Sequence, residues 1–236
     1  MKIAICDSGV GGVGVALKVI KNYPFNNYLC LSDCKNLPYG NKSDSQIIKR
    51  ALAHLKRAER WGAEVLIVAC NTMSTTAKER MLTCSKIPVL FIEPNLDKIL
   101  KNQRKLLLFC TKKTAENIGK SFDKNNDLMQ IISCKNLALE IEKNIFDLEK
   151  IDLEFLNDFK CDQAEVYLGC THYLFLSTKF DELLKPNKIY DGLDEVMEEI
   201  KKYSNFNDYL KIKFKVKFAG SGSARMKRVF YRYLNF

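Results

Sequence analysis

Two stretches a hundred residues apart carry the most reactive side chains of this sequence in the same setting. Val65-Leu66-Ile67-Val68-Ala69-Cys70-Asn71-Thr72 and Glu165-Val166-Tyr167-Leu168-Gly169-Cys170-Thr171-His172 each run from an apolar strand through a small residue to a cysteine and a polar pair. A lone cysteine after a buried strand usually fills the core. A matched pair points instead to shared chemistry. In parallel α/β units, ligands collect outside the carboxyl ends of the strands. There each sulfur would sit beside a helix N-terminus, whose amides and dipole favour a thiolate. If the two halves face each other, the sulfurs flank one small ligand. One thiolate can then take a proton from carbon while the other thiol returns one to the opposite face, which inverts a stereocentre. Cysteine titrates near the working pH that such transfer needs. The carbon acid is far weaker, so close positioning and hydrogen bonds to a substrate carboxylate must lower the barrier.

The elements that would hold these residues alternate strand and helix. Lys2–Cys6 reads as an apolar strand, followed by the turn Asp7-Ser8-Gly9-Val10-Gly11-Gly12 and a helix from about Val13 to Lys21. Strands follow at Tyr28–Leu31, Val65–Ala69 and Pro88–Ile92. Ser43 is placed to cap a long amphipathic helix that runs to Trp61. The pattern restarts with strands at Lys105–Phe109, Met129–Ser133 and Ala164–Leu168, and helices over Lys113–Phe122 and Leu137–Asn144. Continuous apolar strands separated by helices predict parallel sheets covered on both faces. The expected fold class is therefore α/β. It has two pseudo-symmetric α/β domains with mainly parallel sheets and an active site in the cleft between them. Glu93-Pro94-Asn95 and Lys185-Pro186-Asn187 are the expected crossings, with a helix after Asp191-Gly192 returning to the first half. Residues 1–94 plus 190–236 would form the first domain and 95–189 an insertion in it.

The 236 residues, with 47% apolar content, suffice for such a core. No apolar run approaches the ~18 residues of a membrane span, and the first residues turn acidic and glycine-rich too soon for a signal peptide. Nine cysteines without C-x-x-C or a disulfide rhythm fit a reducing cytoplasm. The two histidines, His54 and His172, form no metal motif, so no metal is expected. The Asp7–Gly12 turn has no following Gly-Lys-Ser/Thr, so a nucleotide site lacks its signature. Cys6, Cys30, Cys34, Cys84, Cys110, Cys134 and Cys161 are expected to be packing residues. The net charge is +10, but the segment from Lys211 onward holds eight basic residues and no acidic ones. Its alternating Lys211–Phe218 run reads as a strand with one lysine face, which discourages edge pairing. An anionic partner for this patch is the lesser alternative.

Four segments together resemble the glutamate racemases of the aspartate/glutamate racemase superfamily. They are Asp7–Gly12, Asp33 with Pro38-Tyr39-Gly40-Asn41-Lys42-Ser43, Ala69-Cys70-Asn71-Thr72, and Gly169-Cys170-Thr171-His172-Tyr173. The resemblance covers nearly the whole chain and implies cofactor-independent racemisation of glutamate, with D-glutamate supplied for peptidoglycan. It also implies Cys70 as the group facing the D-enantiomer and Cys170 as the group facing the L-enantiomer. Asp7, His172 and Glu142 are implied as polar assistants in catalysis. Asp7, Ser8, Tyr39, Gly40, Asn71, Thr72, Thr171 and His172 resemble the substrate contacts. Asp33, Thr111 and Thr114 match positions farther from the substrate. A homodimer is a family-level expectation.

The sequence departs from the family where Leu174 and Lys135 replace usual prolines and where Gly192 follows Asp191 in place of a common serine. Three other readings stay open at this level. One is racemisation of aspartate or a related superfamily substrate, since one methylene is not legible in the sequence. Another is a non-catalytic binding protein that uses basic residues 211–236 on DNA or on gyrase. The third is a thiol redox sensor, which would form a Cys70–Cys170 disulfide.

Overall fold

The computed structural model describes residues 1–24, 26–121, 127–161, 163–203 and 214–234. The first sheet contains β1 (Lys2–Asp7), β2 (Asn27–Ser32), β3 (Val65–Val68), β4 (Val89–Phe91) and β9 (Lys215–Gly220), in the order β4-β3-β1-β2-β9. The second contains β5 (Leu106–Cys110), β6 (Met129–Ser133), β7 (Glu165–Gly169) and β8 (Lys188–Tyr190), in the order β6-β5-β7-β8. Every strand pairing in both sheets is parallel. Read from its other edge, the second sheet runs β8-β7-β5-β6 and repeats the order β4-β3-β1-β2. The two cysteine-bearing strand ends, after β3 and β7, thus occupy the same station in each sheet.

Both faces of the sheets are covered. Ile3 and Ile5 of β1 pack into one apolar cluster and Ala4 and Cys6 into another, as the period of two requires. The larger cluster does not stop at the first sheet. It runs through α1 (Gly11–Asn22) into Phe109, Val166 and Leu168 of the second sheet and Phe230 of α9 (Ser223–Tyr233), so one core joins the halves. Ser43 caps α2 (Asp44–Trp61) in a full capping box with Gln46, and Gly62 ends the helix in the left-handed region. The other helices are α3 (Asn71–Cys84), α4 (Leu96–Leu100), α5 (Lys112–Ser121), α6 (Leu137–Asn144), α7 (Ser177–Leu184) and α8 (Leu193–Lys201). α8 starts as expected after Asp191-Gly192, where the Asp191 side chain accepts the Leu193 amide at 3.0 Å.

Some boundaries move. α1 begins at Gly11, ahead of the expected Val13, because the glycine turn is itself the first turn of the helix. The lysine-faced strand covers Lys215–Gly220, while Lys211 and Lys213 lie outside the described residues. Among the described residues β9 pairs only with β2, so Lys215 and Lys217, both exposed, line an edge of the sheet. Among the described residues, no helix is long and apolar enough to cross a membrane.

Candidate active site

β1 and β3 deliver the first half of the site. β3 ends at Val68, Ala69 still donates its amide to the Cys6 carbonyl at 2.9 Å, and Cys70 then becomes the N-cap of α3. The Cys70 thiol donates to Ser8 Oγ at 3.6 Å. Asp7, at the end of β1, is completely buried. Its Oδ1 accepts the Gly9 amide at 2.9 Å and its Oδ2 accepts the Thr171 hydroxyl at 3.0 Å. Asp7 therefore does not cap α1, whose N-cap is Val10. It ties the first sheet to the second.

The second half is built on β7. Cys170 follows it, and residues Thr171–Leu176 form a 3-10 turn where Cys70 has a full α-helix. Cys170 Sγ lies 3.8 Å from His172 Nδ1, and His172 Nε2 lies 2.8 Å from Glu142 Oε2 of α6. The same Glu142 oxygen accepts the Val10 amide at 2.9 Å. The glycine turn makes this approach possible. A Cβ on Gly9 would stand 2.5 Å from Glu142 Oε2, and one on Gly11 would stand 2.2 Å from Thr171 Oγ1. Its glycines serve the packing of one half against the other.

Both thiols border one narrow cavity of about 20 Å³, room for little more than a water molecule. A molecule much larger than water enters only when these walls part. Ser8, Tyr39, Gly40, Asn71, Thr72, Thr171 and His172, all read from the sequence, line it with the cysteines. Thr111 lines it too, and Leu37, Pro38 and Ala138 complete the wall. Leu37 and Ala138 carry no signal in a single sequence. Asp7, Asp33, Thr114 and Glu142 stand behind the lining. Asp33 holds the Tyr39 hydroxyl at 2.9 Å and the Asn36 amide at 2.8 Å. The hydroxyls of Thr72, Thr111 and Thr114 form a triangle with sides of 2.9, 3.0 and 3.1 Å across the two halves. Larger clefts exist, such as one of about 540 Å³ beside α1 and α9, but they lack this convergence of reactive groups.

Burial dominates the electrostatics. It pushes the Cys70 thiol up to about 12, reinforced by the Asp7 charge, while the Met73 amide and Ser8 hydroxyl pull the other way. The helix N-terminus thus acts in the expected direction but loses to desolvation, and Cys70 rests as a thiol. Burial also raises Asp7, against the opposing pull of His172, the Gly9 amide and Thr171. For His172, burial opposes the charged ring, yet hydrogen bonds and charge from Cys170 and Glu142 hold its pKa well above the ordinary value. Burial would raise Glu142, but His172, the Val10 amide and Arg225 keep it below its usual range.

Arg225 is the functional residue that sequence reasoning left in an undifferentiated basic tail. From α9 its guanidinium donates to the Glu142 carbonyl and, at 3.4 Å, to the Lys143 carbonyl, and its Nε lies 3.6 Å from Glu142 Oε1. Ser221 reaches Asp33 Oδ1 at 3.4 Å. The C-terminal segment therefore buttresses two acidic residues of the site. Of the other cysteines, Cys6, Cys30, Cys110 and Cys134 are buried as expected, whereas Cys84 is exposed on α3 and fills no core. His54 is buried in α2, and desolvation lowers its pKa to about 4. Among the described residues, no group of three His, Cys, Asp or Glu side chains is placed to hold a metal ion.

No protein-family model matches the chain. Among curated proteins, the glutamate racemase of Clostridium acetobutylicum is 30% identical over 222 residues, covering 89% of this chain and 86% of that protein. Among solved structures, glutamate racemase from Campylobacter jejuni aligns over 100% of this chain and 99% of its own, with a TM-score of 0.81 and 25% identity. Glutamate racemase from Francisella tularensis, solved in complex with D-glutamate, shares the fold at a TM-score of 0.76 and 21% identity, covering 100% of this chain and 94% of its own.

Proposed function

The chain belongs to the glutamate racemase family, and on that premise we propose that it interconverts L- and D-glutamate by proton transfer between two cysteines, Cys70 and Cys170. The observation that carries this reading is the shared cavity bordered by both sulfurs, each at the tip of the equivalent strand in its own sheet. One sulfur, as thiolate, removes the α-proton while the other, as thiol, protonates the opposite face, and the reverse reaction exchanges their roles. The resting thiol at Cys70 supplies the acid for one direction. His172, 3.8 Å from Cys170, offers that sulfur a hydrogen-bond partner through which a proton can be accepted or returned. Ser8 accepts a hydrogen bond from the Cys70 thiol at 3.6 Å and so orients it.

Neutral donors suit the substrate. The Asn71, Thr72 and Thr171 side chains and the backbone around Gly40 can bind carboxylates without neutralising a thiolate. Asp7 and Glu142 act as positioning residues behind this lining, Asp7 through Thr171 and Glu142 through His172. The cavity must widen to admit glutamate, and two units, 1–94 with 190–236 and an inserted 95–189, offer the parting line between the sheets. D-Glutamate made this way would feed peptidoglycan synthesis in the cytoplasm, a compartment in keeping with nine free cysteines.

Proton NMR in deuterated water tests the reaction. Loss of the α-proton signal from either enantiomer, with optical rotation decaying to zero from both sides, is the expected result. Absence of exchange from D- and L-glutamate would overturn it, and aspartate run in parallel reports which chain length the cavity accepts.

A further inference from the structure

A cleft of about 530 Å³ adjoins the cysteine cavity and shares Pro38, Gly40, Thr111 and Ala138 with it. Its lining contains two lysines, Lys112 and Lys135, and no carboxylate. Lys112 is the first residue of α5 and its side chain is 76% exposed, with Glu116 one helical turn along, 3.9 Å from its Nζ and outside the cleft lining. Lys135 is exposed in the connection between β6 and α6, where the family pattern has a proline. Lys112 at the start of α5 and Asn136, Ala138 and Leu139 around the start of α6 border the same cleft, so the partial positive charge of two helix N-termini adds to that of the lysines. The cysteine cavity, by contrast, presents no lysine or arginine to a substrate with two carboxylates and one ammonium group.

We propose that this cleft is an anteroom that collects anionic amino acids before they pass Gly40 and Thr111 to the cysteines, and that Lys112 and Lys135 are the residues that collect them. The assignment of the ligand as an acidic amino acid rests on the racemase reading. The anteroom itself rests on its shared wall and its one-signed charge. Field focusing of this kind raises the local concentration of a counter-charged ligand and fades as salt shortens the screening length below about 8 Å.

The test is differential alkylation, read residue by residue by mass spectrometry, with anionic iodoacetate and neutral iodoacetamide. The exposed thiol of Cys84 serves as an internal reference. In the double variant K112Q/K135Q at low salt, the iodoacetate-to-iodoacetamide ratio at Cys70 and Cys170 should fall about 3- to 10-fold. The ratio at Cys84 should stay constant. KM for glutamate should rise by a similar factor with kcat within about twofold, and both differences should close at about 0.5 M salt. An unchanged ratio at the site cysteines, or a change indifferent to salt, overturns the anteroom. If the ratio responds while the wild-type protein turns over no glutamate, the racemase reading fails and the anionic anteroom stands. If glutamate turns over normally and the ratio does not respond, the anteroom alone fails.

Discussion

Glu142 and His172 belong to different elements, α6 and the turn after β7, yet Glu142 Oε2 and His172 Nε2 stand 2.8 Å apart in an almost dry setting. The carboxylate is also held by the Val10 amide, so an atom of the first half fixes a pair in the second. With its Nε2 engaged, the ring has only Nδ1 to turn toward Cys170. The pair thus settles which face of the imidazole the sulfur meets.

Its pH signature follows from the shifts. Glu142 is held below its ordinary 4.5, so its contribution to stability is present above that value and is lost as pH falls through the lower folded value. His172 is raised above its ordinary 6.5, so its contribution is full below that value and is lost as pH rises through the higher folded one. Melting temperatures of wild type and E142Q should therefore differ most between about pH 4.5 and 6.5 and converge on either side. A difference independent of pH would remove the ion pair from the account.

Removing either sulfur should stop the reaction. Cys70→Ala and Cys170→Ala should each lower racemisation by ~10³-fold or more, since general acid–base transfer contributes on that order and every turnover uses both faces. Serine at either position should fail as well, an alcohol being a far weaker acid than a thiol. Near-normal turnover by one alanine variant in the rotation assay would falsify the two-base scheme.

Asp7→Asn separates charge from shape. The amide oxygen can still accept the Gly9 amide while its NH2 group donates to the Thr171 hydroxyl, reversing that bond, and the change relieves a carboxyl whose pKa burial has raised. Melting temperature should hold or rise, while kcat/KM should fall by roughly 10²-fold. A variant that loses stability and activity together would mark Asp7 as structural only.

Gly11→Ala should act from the opposite half of the site. The added methyl meets the Thr171 hydroxyl and the His172 ring, neither of which is the free end of a long chain. A loss of about 1–3 kcal/mol is expected, roughly 2–10 °C in Tm, with racemisation reduced far beyond the fraction unfolded at assay temperature. Full activity at unchanged Tm would show that the turn and the second sheet are not in contact in solution.

Much of the site was legible because its chemistry is concentrated at strand ends. The cysteines, the Asn71-Thr72 and Thr171-His172 pairs and the Pro38-Tyr39-Gly40 turn all border the cavity; the first three follow directly from β3 and β7, and the turn leads into the capped start of α2. Leu37 and Ala138 also border it but are ordinary side chains whose role is given only by what faces them. Arg225 stood in a basic run with no local mark, and only the return of β9 and α9 against α6 distinguishes it from its neighbours. The sequence also suggested thiolates at helix N-termini. It could not report that Cys70 is buried deeply enough for desolvation to outweigh the helix.

By itself the sequence determined the alternation of strand and helix, the parallel sheets and the two cysteine stations, because apolar runs, caps and glycines act within a few residues of themselves. Only the tertiary structure decided how the halves meet. Thr171 on Asp7, Glu142 on Val10 and the threonine triangle each join residues from opposite halves, with as many as 164 positions between partners. Such contacts depend on the three-dimensional docking of two cores, and a linear pattern carries no term for it.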